Sequence, residues 1–333
     1  MPTAVREGAV RAVWLREFGG PDRLVSAETP DPVAGPGQVV VAVAFANITF
    51  VETQLRAGTG PFPLRLPTIP GNGVGGRVAA VGPDVDPALL GRRVVTGTGG
   101  SGGYAERVAV DADGLIEVPE GLPLDGAVAL LADGRTALLL VTAAGIGPGE
   151  RILVEAAAGG VGSLLVQLGR AAGATVVAVA GSDRKLELAG NLGAEVLIDY
   201  SRADWPDRVR AAVGGVDVVF DGVGGEVGRS AFELLGPGGR LVSFGLASGG
   251  WAEIPDEVAK ERGATVVREA LTRSPAELRD FSRRALAEAA AGRLRPVIGQ
   301  RFPLDRAADA HAAIQSRRTL GKTLLEIAPE TMP

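Results

Sequence analysis

The segment Arg151-Ile-Leu-Val-Glu-Ala-Ala-Ala-Gly-Gly-Val-Gly162 constrains this chain more than any other. A short apolar run ends in glycines and passes directly into Ser163-Leu-Leu-Val-Gln-Leu-Gly-Arg170, which is apolar at helical spacing. Strand, tight turn and helix is the reading. Glycine at 159 lets a ligand's phosphates approach the backbone, and glycine at 162 lets the helix pack closely on the strand. The helix N-terminus then offers amides without intrahelical partners and the positive end of its dipole, a setting that favours an anion. A dinucleotide site over Ala158, Gly159, Gly160, Val161 and Gly162 is expected. Ala157 occupies the position of the usual first glycine, a departure from the common fingerprint.

Around this segment the chain alternates strands and helices. Strands are expected at 151–155, 175–180, 196–199, 216–220, 240–244 and 265–267, and helices at 124–143, 161–172, 183–192 and 226–235. That rhythm builds a parallel sheet covered on both faces, a doubly wound Rossmann fold. From Ala9 to Pro119, by contrast, short β-type runs (11–15, 38–46, 75–81, 92–96, 104–110 and 115–118) are punctuated by Gly and Pro, which reads as an irregular, mainly-β body. The tail, with helices at 276–291 and 305–316 and strands at 297–302 and 322–327, breaks the βαβ rhythm and is expected to return to the first body. An α/β protein of two domains follows: a mainly-β domain over 1–124 completed by 272–333, and a Rossmann domain over 125–271.

The 333 residues include no cysteine and one histidine, His311. Disulfides, thiolate nucleophiles and His/Cys zinc sites are therefore not available. A formal net charge of −5 without a Lys/Arg block speaks against nucleic acid. No membrane partner is expected, because no apolar run approaches the ~18–20 residues of a span. The first residues lack the apolar block of a secretory signal, so a cytoplasmic location is expected.

Coenzyme choice is read after the next strand, where an acid would bind the ribose hydroxyls of NAD. Here stand Gly181, Ser182, Asp183 and Lys185. Ser182 and Lys185 suit a 2′-phosphate, so NADPH is expected. Asp183 is the competing NAD-type acid, and is read instead as a helix N-cap.

Together, Ala156-Ala-Ala-Gly-Gly-Val-Gly-Ser163, Gln167-Leu-Gly-Arg-Ala-Ala-Gly173, Gly193-Ala-Glu-Val-Leu-Ile-Asp-Tyr-Ser201, Asp221-Gly-Val-Gly-Gly225, Leu241-Val-Ser-Phe-Gly245 and Ser316-Arg-Arg-Thr-Leu-Gly-Lys322 resemble the zinc-independent quinone oxidoreductases of the medium-chain dehydrogenase/reductase superfamily. The resemblance runs over essentially the whole chain and implies that the first body is GroES-like. It implies a 2′-phosphate site at Ser182, Lys185, Tyr200 and Arg317. It places Thr136 near the nicotinamide and Gly222, Val223, Phe244 and Gly245 along the coenzyme groove. Asn72 and Gly73 stand where zinc-dependent relatives carry His and Glu. The family's Asn-Phe-x-Asp-x-x-x-Arg-x-Gly segment corresponds to Thr49-Phe-Val-Glu-Thr-Gln-Leu-Arg-Ala-Gly58: Thr49 replaces Asn, Glu52 replaces Asp, and Gln54 replaces a tyrosine.

Asn47, upstream, is the candidate for the missing amide and is expected to touch coenzyme as well as acceptor. Asn47, Thr49, Gln54 and Arg56 are the candidate catalytic residues, with an Glu52–Arg56 ion pair as the alternative use of that pair; His311 is read as structural. Without zinc or an evident general base, oxidation of a simple alcohol is disfavoured. Hydride addition to a quinone or an α,β-unsaturated carbonyl asks only for positioning and one or two donors to the developing oxyanion. Three readings stay open: a quinone reductase, an enoyl or alkenal reductase, and an NADPH-binding protein with little catalysis. The resemblance also implies a homodimer pairing through 265–267.

Overall fold

The computed structural model describes residues 8–268 and 272–329. The chain divides into two compact units. One runs to Ala132 and takes in Ser282–Arg293 and the residues from Val297 onward; the other is Asp133–Phe281 with Leu294–Pro296.

In the first unit β1 (Ala9–Leu15) pairs antiparallel with β2 (Leu24–Pro30). There follow β3 (Gln38–Ile48), α1 (Phe50–Ala57), β4 (Gly73–Val81), β5 (Arg93–Gly97), β6 (Arg107–Asp111) and β7 (Ile116–Glu117). β3 is a long run rich in valine and nearly all buried, as befits the strand on which β4, β6 and a C-terminal strand all pair. The ladder strand expected to start at Tyr104 starts at Arg107 instead, because the Tyr104 amide and carbonyl bond outward to Pro70 and Val13. The helix α2 (Leu124–Ala144) follows and contains the boundary between the units. It is long and apolar enough to cross a membrane, contrary to the reading that no run approaches that length, but two-thirds of that stretch is buried within the protein, as in a core helix.

The second unit carries β8 (Arg151–Val154), α3 (Gly160–Ala171), β9 (Thr175–Ala180), α4 (Asp183–Leu192), β10 (Val196–Asp199), α5 (Trp205–Val213), β11 (Val216–Asp221), α6 (Gly225–Phe232), β12 (Leu235–Ser243), α7 (Asp256–Glu261) and β13 (Thr265–Val267). Its six strands form one parallel sheet in the order β10-β9-β8-β11-β12-β13. This is the doubly wound order, with its switch point between β8 and β11. The helix expected over 226–235 stops at Phe232, and β12 starts at Leu235 rather than Arg240. The register with β11 shifts there, the added Gly-Pro-Gly-Gly stretch of β12 lying opposite the step from Val216 to Val218. The core joins Leu153, Val177, Val179 and Val219 of the sheet to Trp205, Val209 and Phe232 of the helices.

The chain then forms α8 (Pro275–Ala290), β14 (Ile298–Pro303), α9 (Ala307–Gln315) and β15 (Lys322–Glu326). β15 adds antiparallel to β3 and β14 adds to β15, so a seven-stranded sheet runs β14-β15-β3-β4-β5-β7 with β6 also on β3.

His311 of α9 is fully buried in this unit, its Nε2 2.9 Å from the Tyr104 hydroxyl and its ring edge-on to the tyrosine. Burial, with the nearby Arg56 charge, lowers its pKa to about 3. The imidazole is thus neutral in the fold and charged in the unfolded chain below its ordinary value, so stability falls as pH drops from 6.5 toward 3. Urea unfolding at pH 7.5 and pH 5 should show the wild type losing about 2 kcal/mol more than His311→Gln over that interval.

Candidate functional site

At the end of β8 the chain turns through Ala156, whose φ of 46° is left-handed, before α3 begins. The turn is pinned by Ala157 N to Val179 O at 3.2 Å and Gly159 N to Ala156 O at 2.8 Å. A Cβ at Gly162 would fall within contact distance of the Ala156 carbonyl, so only glycine admits this approach of helix to turn. No side chain caps α3, and its first internal bond is Ser163 N to Gly159 O. The amides of Gly160, Val161 and Gly162 therefore precede the helical ladder and face the switch point, the arrangement a diphosphate needs.

Beside it, at the ends of β9 and β10, lie Gly181, Ser182 and Tyr200. A Cβ on Gly181 would stand 3.5 Å from the Tyr200 ring, and the Tyr200 amide bonds Ala180 O at 3.2 Å. Ser182, not Asp183, holds the N-cap position of α4, and its hydroxyl makes no capping bond. Asp183 is the first helical residue and is exposed; the cap expected of it is not made. Lys185 follows half-buried on the same first turn. Arg317, the fourth residue expected at the 2′-phosphate, lies in the other unit just after α9, exposed and with φ 55°.

Four of the expected nicotinamide-side residues meet within the second unit. Gly222 and Val223 leave β11, while Phe244 and Gly245 leave β12, both of whose amides donate to Asp221 O at 2.9 and 3.3 Å. A Cβ at Gly222 would lie 2.8 Å from the Phe244 ring, so these two segments are in direct contact. Thr136 is half-buried on α2. Two residues with no role in the motif reading hold this corner. Glu155 Oε2 accepts from Val223 N at 3.0 Å, and Asp221 Oδ1 accepts from Gly224 N at 2.6 Å. The signal for them was two acids at the ends of apolar strands, visible only once β8 and β11 are known to be neighbours.

In the first unit the four candidate catalytic residues separate. Thr49 is the N-cap of α1 in a capping box: its hydroxyl accepts from Glu52 N and donates to Glu52 Oε2, which also takes Thr49 N at 2.6 Å. The pattern Thr-x-x-Glu marks such a start, although no helix was expected here. Glu52 is buried, with Oε1 accepting from Asn72 N at 3.0 Å; burial raises its pKa despite these bonds and the Lys322 charge. Arg56 is 1% exposed and donates to Gly19 O at 2.8 Å and Thr53 O at 3.2 Å. It ties α1 to the preceding loop and makes no ion pair with Glu52, so the expected pair is not formed. Arg56 Nε is left without a partner, and Asn47 and Gln54 likewise carry unmet buried atoms. Their Oδ1 and Oε1 are buried without a hydrogen-bond partner, and Asn47 presses on Gly73, where a Cβ would come 2.9 Å from Nδ2. Buried amides with an unmet acceptor call for a donor from outside the unit. Thr49→Ala should cost about 1 kcal/mol of stability in urea unfolding and Thr49→Ser should restore it, as a cap requires.

Two family models match: the alcohol dehydrogenase GroES-like domain over residues 35–120 and the zinc-binding dehydrogenase domain over 160–286. The zinc in the second description finds no ligand set here. Cysteine is absent, His311 is buried on Tyr104, and among the described residues no group of three or more His, Cys, Asp or Glu is placed to hold a metal. A 2-haloacrylate reductase from Burkholderia is 34% identical over 331 residues, covering 95% of this chain and 98% of that one. A quinone oxidoreductase from Pseudomonas aeruginosa is 33% identical over 322 residues, covering 95% and 99%. Among solved structures, Escherichia coli quinone oxidoreductase complexed with NADPH superposes with a TM-score of 0.88 at 29% identity, covering 95% and 99%. The Thermus thermophilus quinone oxidoreductase gives 0.82 at 35%, covering 95% and 100%. With a GroES-like body, a doubly wound coenzyme-type domain and this degree of likeness along nearly its full length, the chain belongs to the quinone oxidoreductase-like family of the medium-chain dehydrogenase/reductase superfamily.

Proposed function

We propose that this protein is an NADPH-dependent oxidoreductase that reduces a conjugated carbonyl acceptor, a quinone or an α,β-unsaturated carbonyl. The observation that carries this is the uncapped start of α3 at the switch point, with the non-capping Ser182 hydroxyl, Lys185 and Tyr200 at the neighbouring strand ends. These residues fit a 2′-phosphorylated dinucleotide: α3 amides for the diphosphate, and the serine hydroxyl, the ammonium and the phenol for the 2′-phosphate. Arg317 is proposed as a further 2′-phosphate ligand, and Thr136, Gly222, Val223, Phe244 and Gly245 as the groove for the nicotinamide end. When bound, the dihydronicotinamide supplies the hydride.

The acceptor side is assigned to Asn47 and Gln54. Each amide can donate a hydrogen bond to an oxygen that gains negative charge, and each has an acceptor oxygen for a ligand hydroxyl or water. Thr49 and Arg56 are assigned to holding α1. The proton that completes reduction is assigned to water, since Glu52 is enclosed in its capping box. The name of the Burkholderia relative favours a second reading, reduction of a conjugated carbon–carbon double bond. Product analysis separates the two: a hydroquinone or semiquinone against a saturated carbonyl.

A panel of quinones and enones assayed with NADPH and NADH side by side tests the assignment. NADPH should be preferred, and Ser182→Ala with Lys185→Ala should raise the Kd for NADPH by about tenfold or more while changing that for NADH little. Asn47→Ala and Gln54→Ala should each lower kcat/KM about tenfold or more without weakening NADPH binding by Gln54→Ala. Tight NADPH binding without turnover on any acceptor would leave a binding protein.

A homodimer through β13 is also proposed. β13 is the terminal strand of its sheet, and an open edge of this kind pairs readily with another copy. Val266→Pro should shift the wild-type dimer to monomer in sedimentation velocity.

A further inference from the structure

Charges on the second unit's central strands are treated differently at their two ends. Where β8, β11 and β12 begin, acids have cations: Arg151 meets Asp217 and Arg240 meets Glu150, both at 2.9 Å. Where β8 and β11 end, Glu155 and Asp221 are both 0% exposed and face each other. The groups turned toward them are a hydroxyl and amides. Ser243 Oγ of β12 donates to Asp221 Oδ2 at 2.8 Å, Gly224 N to Oδ1, and Val223 N to Glu155 Oε2. From α6, Gly228 presents its backbone, and a Cβ there would lie 2.9 Å from both Asp221 oxygens. The charged group that acts on Glu155 is Asp221 itself. Glu155 Oε1 is buried with no donor. A proton on that oxygen, given to Asp221, satisfies it and removes the repulsion of two enclosed anions.

We propose that Glu155 keeps a proton that its Oε1 donates to Asp221, and that the two act together as positioning residues that fix the Gly222–Gly224 loop for the coenzyme. The inference rests on the coenzyme reading above. Both acids sit at the switch point, and their accepted bonds hold the amides of Val223 and Gly224, beside which Phe244 and Gly245 are packed. With the proton in place the dyad carries a single negative charge and the loop is held from both strands. Loss of the proton puts two enclosed charges in contact. The strain is relieved by parting the carboxylates, which draws Val223 and Gly224 away, and it adds a negative charge beside an anionic ligand. Burial and Asp221 push the Glu155 carboxyl well above the usual range, so the protonated dyad prevails on the acid side. Its proton-linked stabilisation declines as pH rises above the ordinary carboxyl value.

The test is NADPH affinity by fluorescence titration from pH 6 to 9.5 for the wild type, Glu155→Gln and Asp221→Asn. A glutamine amide supplies permanently the hydrogen that the proton on Glu155 supplies. The ratio of wild-type to Glu155→Gln Kd cancels titration of the nucleotide and of all other groups. It should rise from about one at pH 6 to about ten or more at pH 9.5. Asp221→Asn, which keeps the hydrogen bond from the opposite side, should likewise flatten the profile. A ratio constant across the range overturns the proposal. Thermal unfolding without nucleotide separates this from failure of the coenzyme reading: Tm of Glu155→Gln minus that of the wild type should climb with pH. If neither protein binds NADPH while that difference climbs, the proton on Glu155 stands and its coenzyme role falls; a flat difference overturns the proton itself.

Discussion

The close approach of α3 to the turn after β8 is the contact on which the second unit's site depends. Because Gly162 lies against the Ala156 carbonyl, the helix starts directly over the switch point instead of beside it. The turn achieves this with a non-glycine residue in the left-handed region, Ala156, a conformation that costs on the order of 1 kcal/mol. Ladder-like bonds on either side hold it there: Glu155 N to Phe220 O and Ala157 N to Val179 O. Two buried strands thus enforce the backbone conformation that leaves three helix-start amides for a ligand.

Burial sorts the first unit's candidates where residue type does not. Thr49, Glu52 and Arg56 are all polar, close in sequence and suited to contact an acceptor. The fold gives each an internal partner: the hydroxyl and carboxylate close the capping box, and the guanidinium binds two backbone carbonyls. Asn47 and Gln54 keep oxygen atoms that the unit does not satisfy. An unmet buried acceptor is costly unless a ligand or water completes it, so these two amides mark where an outside group is needed.

Elements that continue the strand–helix alternation were legible in the sequence. β9, α4, β10 and β13 fall at their expected limits: β9 is a buried apolar run, and the others follow in the same rhythm although β13 has no buried residue. β2 was not, because only Leu24 of its seven residues is buried and its pairing with β1 comes from a partner rather than a pattern. α5 and α7 were missed too: α7 is six residues long and buries only Ala259, and α5 is a nine-residue helix with Pro206 in its first turn. Within the site, the glycine turn was readable because its requirement is local. The Glu155–Val223 bond spans 68 residues, and nothing in either local stretch announces it.

Of the candidate residues around α1, those with an unmet buried oxygen are the amides of Asn47 and Gln54, and this bears on the chemistry. Glu52 is tied up by Thr49 and Asn72, Glu155 and Asp221 hold a loop, and His311 is neutral against Tyr104. A side chain able to take a proton from an alcohol is not among them, and the sequence contains no cysteine for a metal-bound alternative. An acceptor that delocalises incoming charge onto its own carbonyl needs only orientation and a donor, which Asn47 and Gln54 can give. The polar groups that hold α1 and the loop after β11 are thus engaged within the fold, and the proposed acceptor is one that asks little acid–base help of them.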